Sequence, residues 1–269
     1  MNAVLKYHGA KWSLAEWIID HFPPHHSYLE PFFGSGAVLF NKTRSHIETV
    51  NDLDGDVVNL FDCIRQDPEK LGRMVYYTPY SRQEYEKTYL PDLPSDPFAR
   101  AARFLVRCNQ GYGFRTNEIL VGWKNDVQGR ERAYAAKCWI DLPEVIAQAA
   151  ERLRGVQIEH RPAGDVIARF NRENVLIYCD PPYILSSRSG GKRQYKHEMT
   201  DADHEELLAV LKAHRGPVLI SGYPSELYDR ELRDWRSETT TATDQLSRRR
   251  KEVLWMNFEP DWRQETLFT

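Results

Sequence analysis

The chain has 269 residues, a formal net charge of −3 and a mean hydropathy of −0.62, with 41% hydrophobic and 28% charged side chains. That length suits one sizeable domain or one domain with a large insertion. No apolar run reaches the ~20 residues of a membrane span, MNAVLKYHGAKW lacks the apolar stretch of a signal peptide, and four scattered cysteines without a CxxC pair exclude a zinc ribbon or disulfide scaffold and suit a reducing cytoplasm.

WSLAEWIIDHF (12–22) has helical spacing. The HFPPHH run that overlaps its end (21–26) sets no three imidazoles on one face, so no metal is expected. SYLEP (27–31) reads as a strand leading into FFGSG, with Gly34 and Gly36 at the strand-to-helix turn before GAVLFNKT. This is the place in a doubly wound sheet where a nucleoside-bearing ligand approaches the backbone. Leu39 stands where a dinucleotide fold usually has its third glycine, which argues for a ligand without a pyrophosphate. IETVN (47–51) is the next strand, and Asp52 follows it sixteen residues past Gly36, where ribose hydroxyls are gripped. The alternative use of an acid there, capping the helix DVVNLFDCIRQ, suits Asp54.

More than 100 residues then separate IETVN from the next strand, VQIEH (156–160), where a βαβ crossover needs only a few dozen. The excess, 65–149, is rich in Tyr, Arg and Pro and then helical, and reads as an inserted subdomain. NVLIYC (174–179) delivers Asp180 to the carboxyl edge of the sheet, followed by Pro181, Pro182 and Tyr183. Proline offers no N–H, so the turn is stiff and donates nothing to the carboxylate. Asp180 and the turn carbonyls are acceptors beside a flat ring, which suits an NH2 group on a planar base. DADHEELLAVLKAHRG (201–216) reads as a helix capped by Thr200, and PVLISGY (217–223) and EVLWMNF (252–258) as the last two strands. Strands alternating with helices predict an α/β protein with a doubly wound, mostly parallel sheet.

Basic residues cluster in three places: eight Lys/Arg against three acids over 100–137, four in RSGGKRQYK (188–196), and four in SRRRK near the end. A single basic run is usually a solvated face, but three in an acidic chain suggest local contacts with a polyanion.

The ordered set LKYHGAKW, LEPFFGSG, VNDLD, AGD and YCDPPY resembles the Dam-like D12 class of adenine-N6 DNA methyltransferases, in the family's alpha arrangement. The resemblance covers about 5–65 and 150–258. It implies a Rossmann-like methyltransferase fold, with a catalytic domain of 1–64 and 150–269 and a mainly helical target-recognition insertion of 65–149. It implies S-adenosylmethionine as methyl donor, double-stranded DNA as substrate and transfer to N6 of an adenine turned out of the helix. Tyr7 and Lys11 are expected to hold the methionine end, and Glu30, Pro31, Phe32, Gly34, Ser35 and Gly36 to line the cofactor. Asp52 is expected at its ribose and Asp165 near its adenosine. Asp180, Pro181, Pro182 and Tyr183 form the catalytic motif, with Asp180 also touching the methionine amino group.

Lys6 and Arg115 are expected at DNA. So are Arg188, Lys192, Arg193 and Lys196, in a loop read as a phosphate clamp at the base pocket or as a merely basic connector. CNQGYGFRTN matches the family's recognition segment only in part, so the target sequence stays open. The nearest rival activities are methylation of cytosine N4 or of an RNA amine. A monomeric, cytoplasmic protein of a prokaryote or phage completes the expectation, with a cognate restriction enzyme left open.

Overall fold

The protein is described here from a computed structural model covering residues 1–114, 119–125, 135–185, 195–243 and 249–259. The chain runs through α1 (Ala15–Ile19), β1 (Ser27–Glu30), α2 (Ala37–Asn41) and β2 (Ile47–Asn51). It then forms α3 (Gly55–Gln66), α4 (Pro68–Tyr77), α5 (Arg82–Lys87), α6 (Pro97–Gln110) and α7 (Ala135–Arg152) before returning as β3 (Gln157–Glu159). The rest is α8 (Ala163–Arg169), β4 (Val175–Cys179), α9 (Asp201–Lys212), β5 (Val218–Gly222), α10 (Glu226–Glu231), β6 (Arg236–Thr243) and β7 (Arg249–Met256).

The seven strands form one sheet in the order β3-β2-β1-β4-β5-β7-β6. The first five are parallel and β7 is antiparallel to both of its neighbours. This is the expected doubly wound, mostly parallel, Rossmann-like sheet. Every residue of β1, β4 and β5 is buried, Ser27, Glu30 and Ser221 among them, and β4 reads as an unbroken apolar run. Alternate side chains serve opposite faces. Tyr28, Tyr178 and Leu219 join one apolar cluster, and their neighbours Leu29, Ile177 and Ile220 join the other with α8, α9 and α10.

The helices between β2 and β3 have no core of their own. Leu71 and Val75 of α4, Tyr85 of α5, Leu105 of α6 and Ile146 of α7 belong to the same cluster as Tyr28 and Tyr178. Buried Glu48 on β2 accepts from Lys42 Nζ at 2.7 Å and Arg152 Nη1 at 2.6 Å, tying the end of α7 to the sheet.

Thr200 caps α9 as read from the sequence, in a reciprocal pair with Asp203, and Asp54 caps α3. Two elements differ from the sequence reading. β6, RSETTTAT, carries no apolar alternation because it is the sheet's edge; from Arg236 to Ala242 its residues alternate only between half-buried and exposed. α9 ends at Lys212, well before Gly216. A Cβ on Gly216 would lie 2.5 Å from the Val175 carbonyl, so this glycine serves a close backbone crossing and not a helix end.

Candidate active site

The strand order reverses between β1 and β4, and a cavity of about 630 Å3 opens at their carboxyl ends. Such a switch point is where doubly wound sheets hold ligands. Tyr7, Lys11, Glu30, Phe32, Gly34, Ser35, Asp52, Asp165, Asp180 and Pro182 all line it. Of the remaining residues expected there, Pro31, Gly36, Pro181 and Tyr183 are not among its lining residues.

The β1–α2 loop is shaped by two glycines and by β2. Gly34 has φ +50° and its N–H donates to Asp52 Oδ2 at 2.7 Å. Gly36 has φ +68°, and a Cβ there would meet the Phe33 and Phe40 rings at 2.5 and 2.6 Å. It makes the turn and the packing possible without touching the cavity. Asn51, whose role the sequence reading missed, sews two loops together: Nδ2 donates to the carbonyls of Pro31 at 2.9 Å and Arg161 at 3.0 Å. Asp52 also accepts from the Asp54 N–H at 2.9 Å. Burial pushes the Asp52 carboxyl up to about 6, although the N–H groups of Asp54 and Gly34 pull the other way. Burial likewise pushes Glu30 up to about 8, against the Tyr28 hydroxyl that donates to it at 2.9 Å.

Asp180 does not wait bare at the end of β4. Lys11 Nζ approaches its Oδ1 at 3.0 Å, and the Ser221 hydroxyl donates to the same oxygen at 2.8 Å. Both contacts fall on Oδ1, so among the described residues they leave Oδ2 turned to other donors. Ser221 lies on β5, next to β4, and its hydroxyl also meets that of Tyr178 at 3.1 Å. Lys11 is therefore placed on Asp180, a different partner from the ligand carboxylate expected for it. Its Nζ also donates to the Gly9 carbonyl at 2.8 Å and stands 4.7 Å over the Tyr183 ring. Burial alone would lower its ammonium, but Asp180 and then Glu252 hold it above its ordinary value, so it stays charged. The Tyr183 ring meets Tyr223 edge-on at 4.6 Å, and its hydroxyl donates to Glu252 Oε2 at 2.7 Å.

Tyr195, His197, Glu198 and Met199 also line the cavity. The Tyr195 hydroxyl donates to the His8 carbonyl at 3.2 Å, and Gly9, at φ +72°, leaves room for it: a Cβ would sit 2.3 Å from that oxygen. Lys196, expected at phosphate, is given another partner, donating to Asp56 Oδ2 at 3.2 Å and lying 3.7 Å from Asp54. Arg115, Arg188, Lys192 and Arg193 lie outside the described residues. Lys6 lies near Lys124, and burial followed by the charge of Lys6 lowers the Lys124 ammonium to about 7. Part of the basic stretch 100–137 is internal: Arg103 and Arg107 both donate to the Thr88 carbonyl, and Arg100 pairs with Asp56 at 2.6 Å.

The histidines of HFPPHH each have separate partners. His21 bonds Trp17 O, His25 bonds Pro23 O and Ser45, and His26 bonds Ser27. Among the described residues no three His, Cys, Asp or Glu side chains gather as a metal site. No helix among them is long and apolar enough to cross a membrane.

Ser221, Glu252, Tyr223 and Tyr195 were not read from the sequence. Each reaches the site through the pairing or return of a distant segment, and none sits in a local pattern that marks it.

Residues 7–248 match the D12 class N6 adenine-specific DNA methyltransferase family. The chain is 29% identical over 253 residues to the DNA adenine methylase of Salmonella typhi, spanning 87% of this chain and 84% of that one. It is 28% identical to the Escherichia coli K12 DNA adenine methylase over the same shares. With that of Vibrio cholerae it shares 25% over 260 residues, 92% of this chain and 90% of the relative.

Proposed function

The chain belongs to the D12 class N6 adenine-specific DNA methyltransferases, and from that premise we propose that the cavity at the β1–β4 switch point holds S-adenosylmethionine, with Asp180 receiving the amine of an adenine extruded from duplex DNA. The enzyme is a DNA adenine methyltransferase; the proposal concerns which residues do the work. The observation that carries it is one carboxylate, Asp180, standing in the wall of the cavity that the glycine loop and Asp52 also line.

The residues present suit that cofactor. The cavity, about 630 Å3, falls in the ~300–1,000 Å3 range of small-molecule sites. Asp52 is an acceptor at the glycine loop, suited to ribose hydroxyls. Glu30 is a buried carboxyl held largely neutral, which a nearby cation would ionise. Phe32 and Phe33 offer apolar surface, and Asp165 lies on the same wall. When bound, the cofactor supplies an electrophilic methyl group on a sulfonium. Lys11, already charged, can pass from Asp180 to a ligand carboxylate, leaving both Asp180 oxygens as acceptors.

The chain's own contribution is positional. With Oδ1 held by Ser221, Asp180 presents Oδ2 to an N6–H of the base, and the stiff Pro181–Pro182 turn keeps that oxygen in place. Extruding the base costs a few kcal/mol, and Tyr183 is the ring assigned to receive it. We assign target recognition to 65–149. Arg115, Lys6 and the run holding Arg188, Lys192 and Arg193 are assigned to phosphates.

The test is methyl transfer from tritiated S-adenosylmethionine to plasmid DNA. Asp180→Ala should lose roughly 10²–10³-fold in kcat with its fold retained, by analogy with removing one preorganised polar group. Wild-type turnover in that variant, or a product other than N6-methyladenine, overturns the assignment.

A further inference from the structure

We infer that Glu252 is a positioning residue for methyl transfer, holding Tyr183 by its hydroxyl so that the ring beside Asp180 is fixed at both ends. The inference rests on the reading of Asp180 and Tyr183 given above. Glu252 is the fourth residue of β7, a strand reached only after the chain has completed β5 and β6. It is 7% exposed, and its Oε2 accepts from the Tyr183 hydroxyl at 2.7 Å. β7 pairs with β5, and β5 with β4, so the sheet brings a carboxylate from the far end of the chain to the ring that follows Asp180.

Burying a carboxylate is costly unless it is bonded and balanced. Tyr183 donates to Glu252 at 2.7 Å, and although burial holds its carboxyl above the ordinary value, the Lys11 charge and the Tyr183 bond pull it back down. Burial holds the Tyr183 hydroxyl well above its ordinary value, so it remains a donor. One end of the Tyr183 side chain is set by the diproline turn. Without Glu252, the other end keeps the edge contact with Tyr223 and the Lys11 ammonium over its face, but loses its hydrogen bond. A hydrogen bond at the far end of the ring removes its remaining freedom to tilt. That matters for a surface on which a planar base is to stack, since orientation carries much of the rate in a reaction with no covalent protein intermediate.

The rival role for Glu252 is charge balance for Lys11 alone, and the two make opposite predictions for conservative variants. In methyl transfer to plasmid DNA, Glu252→Ala should lower kcat roughly tenfold or more, while the dissociation constant for S-adenosylmethionine changes by less than about twofold. Glu252→Gln should recover most of that loss, because its amide oxygen still accepts from the hydroxyl although the charge is gone. Tyr183→Phe should lower kcat, and Tyr183→Phe combined with Glu252→Ala should be no slower than Glu252→Ala alone. Losses that add in the double variant, or a Glu252→Gln enzyme as slow as Glu252→Ala, overturn the inference. Asp180→Ala, assayed in parallel, separates the two levels. Full activity there removes the site reading and this inference together, whereas loss there with wild-type rates in Glu252→Ala removes this inference alone.

Discussion

Glu30 lies in the cavity wall with 3% of its surface exposed and a carboxyl held near 8, against an ordinary value of 4.5. Between those two values the folded protein keeps a proton that the unfolded chain has released. Its contribution to stability is therefore full below about pH 4.5 and is lost as the pH rises toward 8, at up to ~1.4 kcal/mol per pH unit. Asp52 acts in the same direction over a lower window, from 3.8 to about 6. The wild type should therefore melt at a lower temperature at pH 8 than at pH 6, and Glu30→Gln, a neutral isostere, should reduce the difference. Identical pH profiles for the two proteins, measured by calorimetry, would show that Glu30 ionises freely in the fold. At this scale the sequence marks residues whose neighbours along the chain define them: Asp180 before two prolines, Asp52 after VN, Gly34 and Gly36 around a serine. It is silent on Ser221, Asn51 and Glu252, because a serine in an apolar strand or an acid beside a basic run carries no sign of what lies across the sheet.

The loop between β1 and α2 is an element defined by backbone freedom. Gly36→Ala would force a side chain into the left-handed region and against Phe33 and Phe40. We expect a loss of about 2–4 kcal/mol, from roughly 1–2 for the backbone and more for the crowding. Gly155 provides the comparison: φ is +79° but nothing lies within 4 Å of the missing Cβ, so Gly155→Ala should cost only the backbone part. Equal melting temperatures for the two variants would mean that the aromatic contacts yield without cost. Elements with a periodic apolar pattern or a local cap, such as β4, β5, α3 and α9, were legible in advance. β6 was not, since a threonine-rich edge strand is held by its backbone ladder to β7, not by a buried face.

The molecule as a whole is acidic, yet it must hold a polyanion. Much of its described positive charge is already engaged: Arg100 and Lys196 on Asp56, Arg103 and Arg107 on the Thr88 carbonyl. Attraction to DNA then falls to the cations left over, and each phosphate contact they make adds about one unit to the salt slope. Neutralising Arg188, Lys192 and Arg193 together should weaken binding to all DNA sequences alike and flatten the salt dependence by about one unit of slope per lost phosphate contact. A filter-binding or anisotropy series across salt concentrations measures both, and an unchanged slope would return those residues to an ordinary solvated connector.

The parallel pairing of β1 with β4 has a consequence in time. Ser27 to Leu29 pair with Val175 to Ile177, across the whole helical excursion that follows β2. A ribosome adding ~5–20 residues per second needs on the order of ten seconds to travel between the two strands. Throughout that interval the emerging chain carries the completed glycine loop beside an open apolar strand edge, the kind of edge that invites pairing with other chains. Early docking of Leu71, Leu105 and Ile146 against Tyr28 can shelter one face of that half-built sheet, but not the edge itself. The enzyme's ligand cavity is thus among the last features to mature, and a nascent chain stopped before Val175 has a glycine loop with no opposite wall.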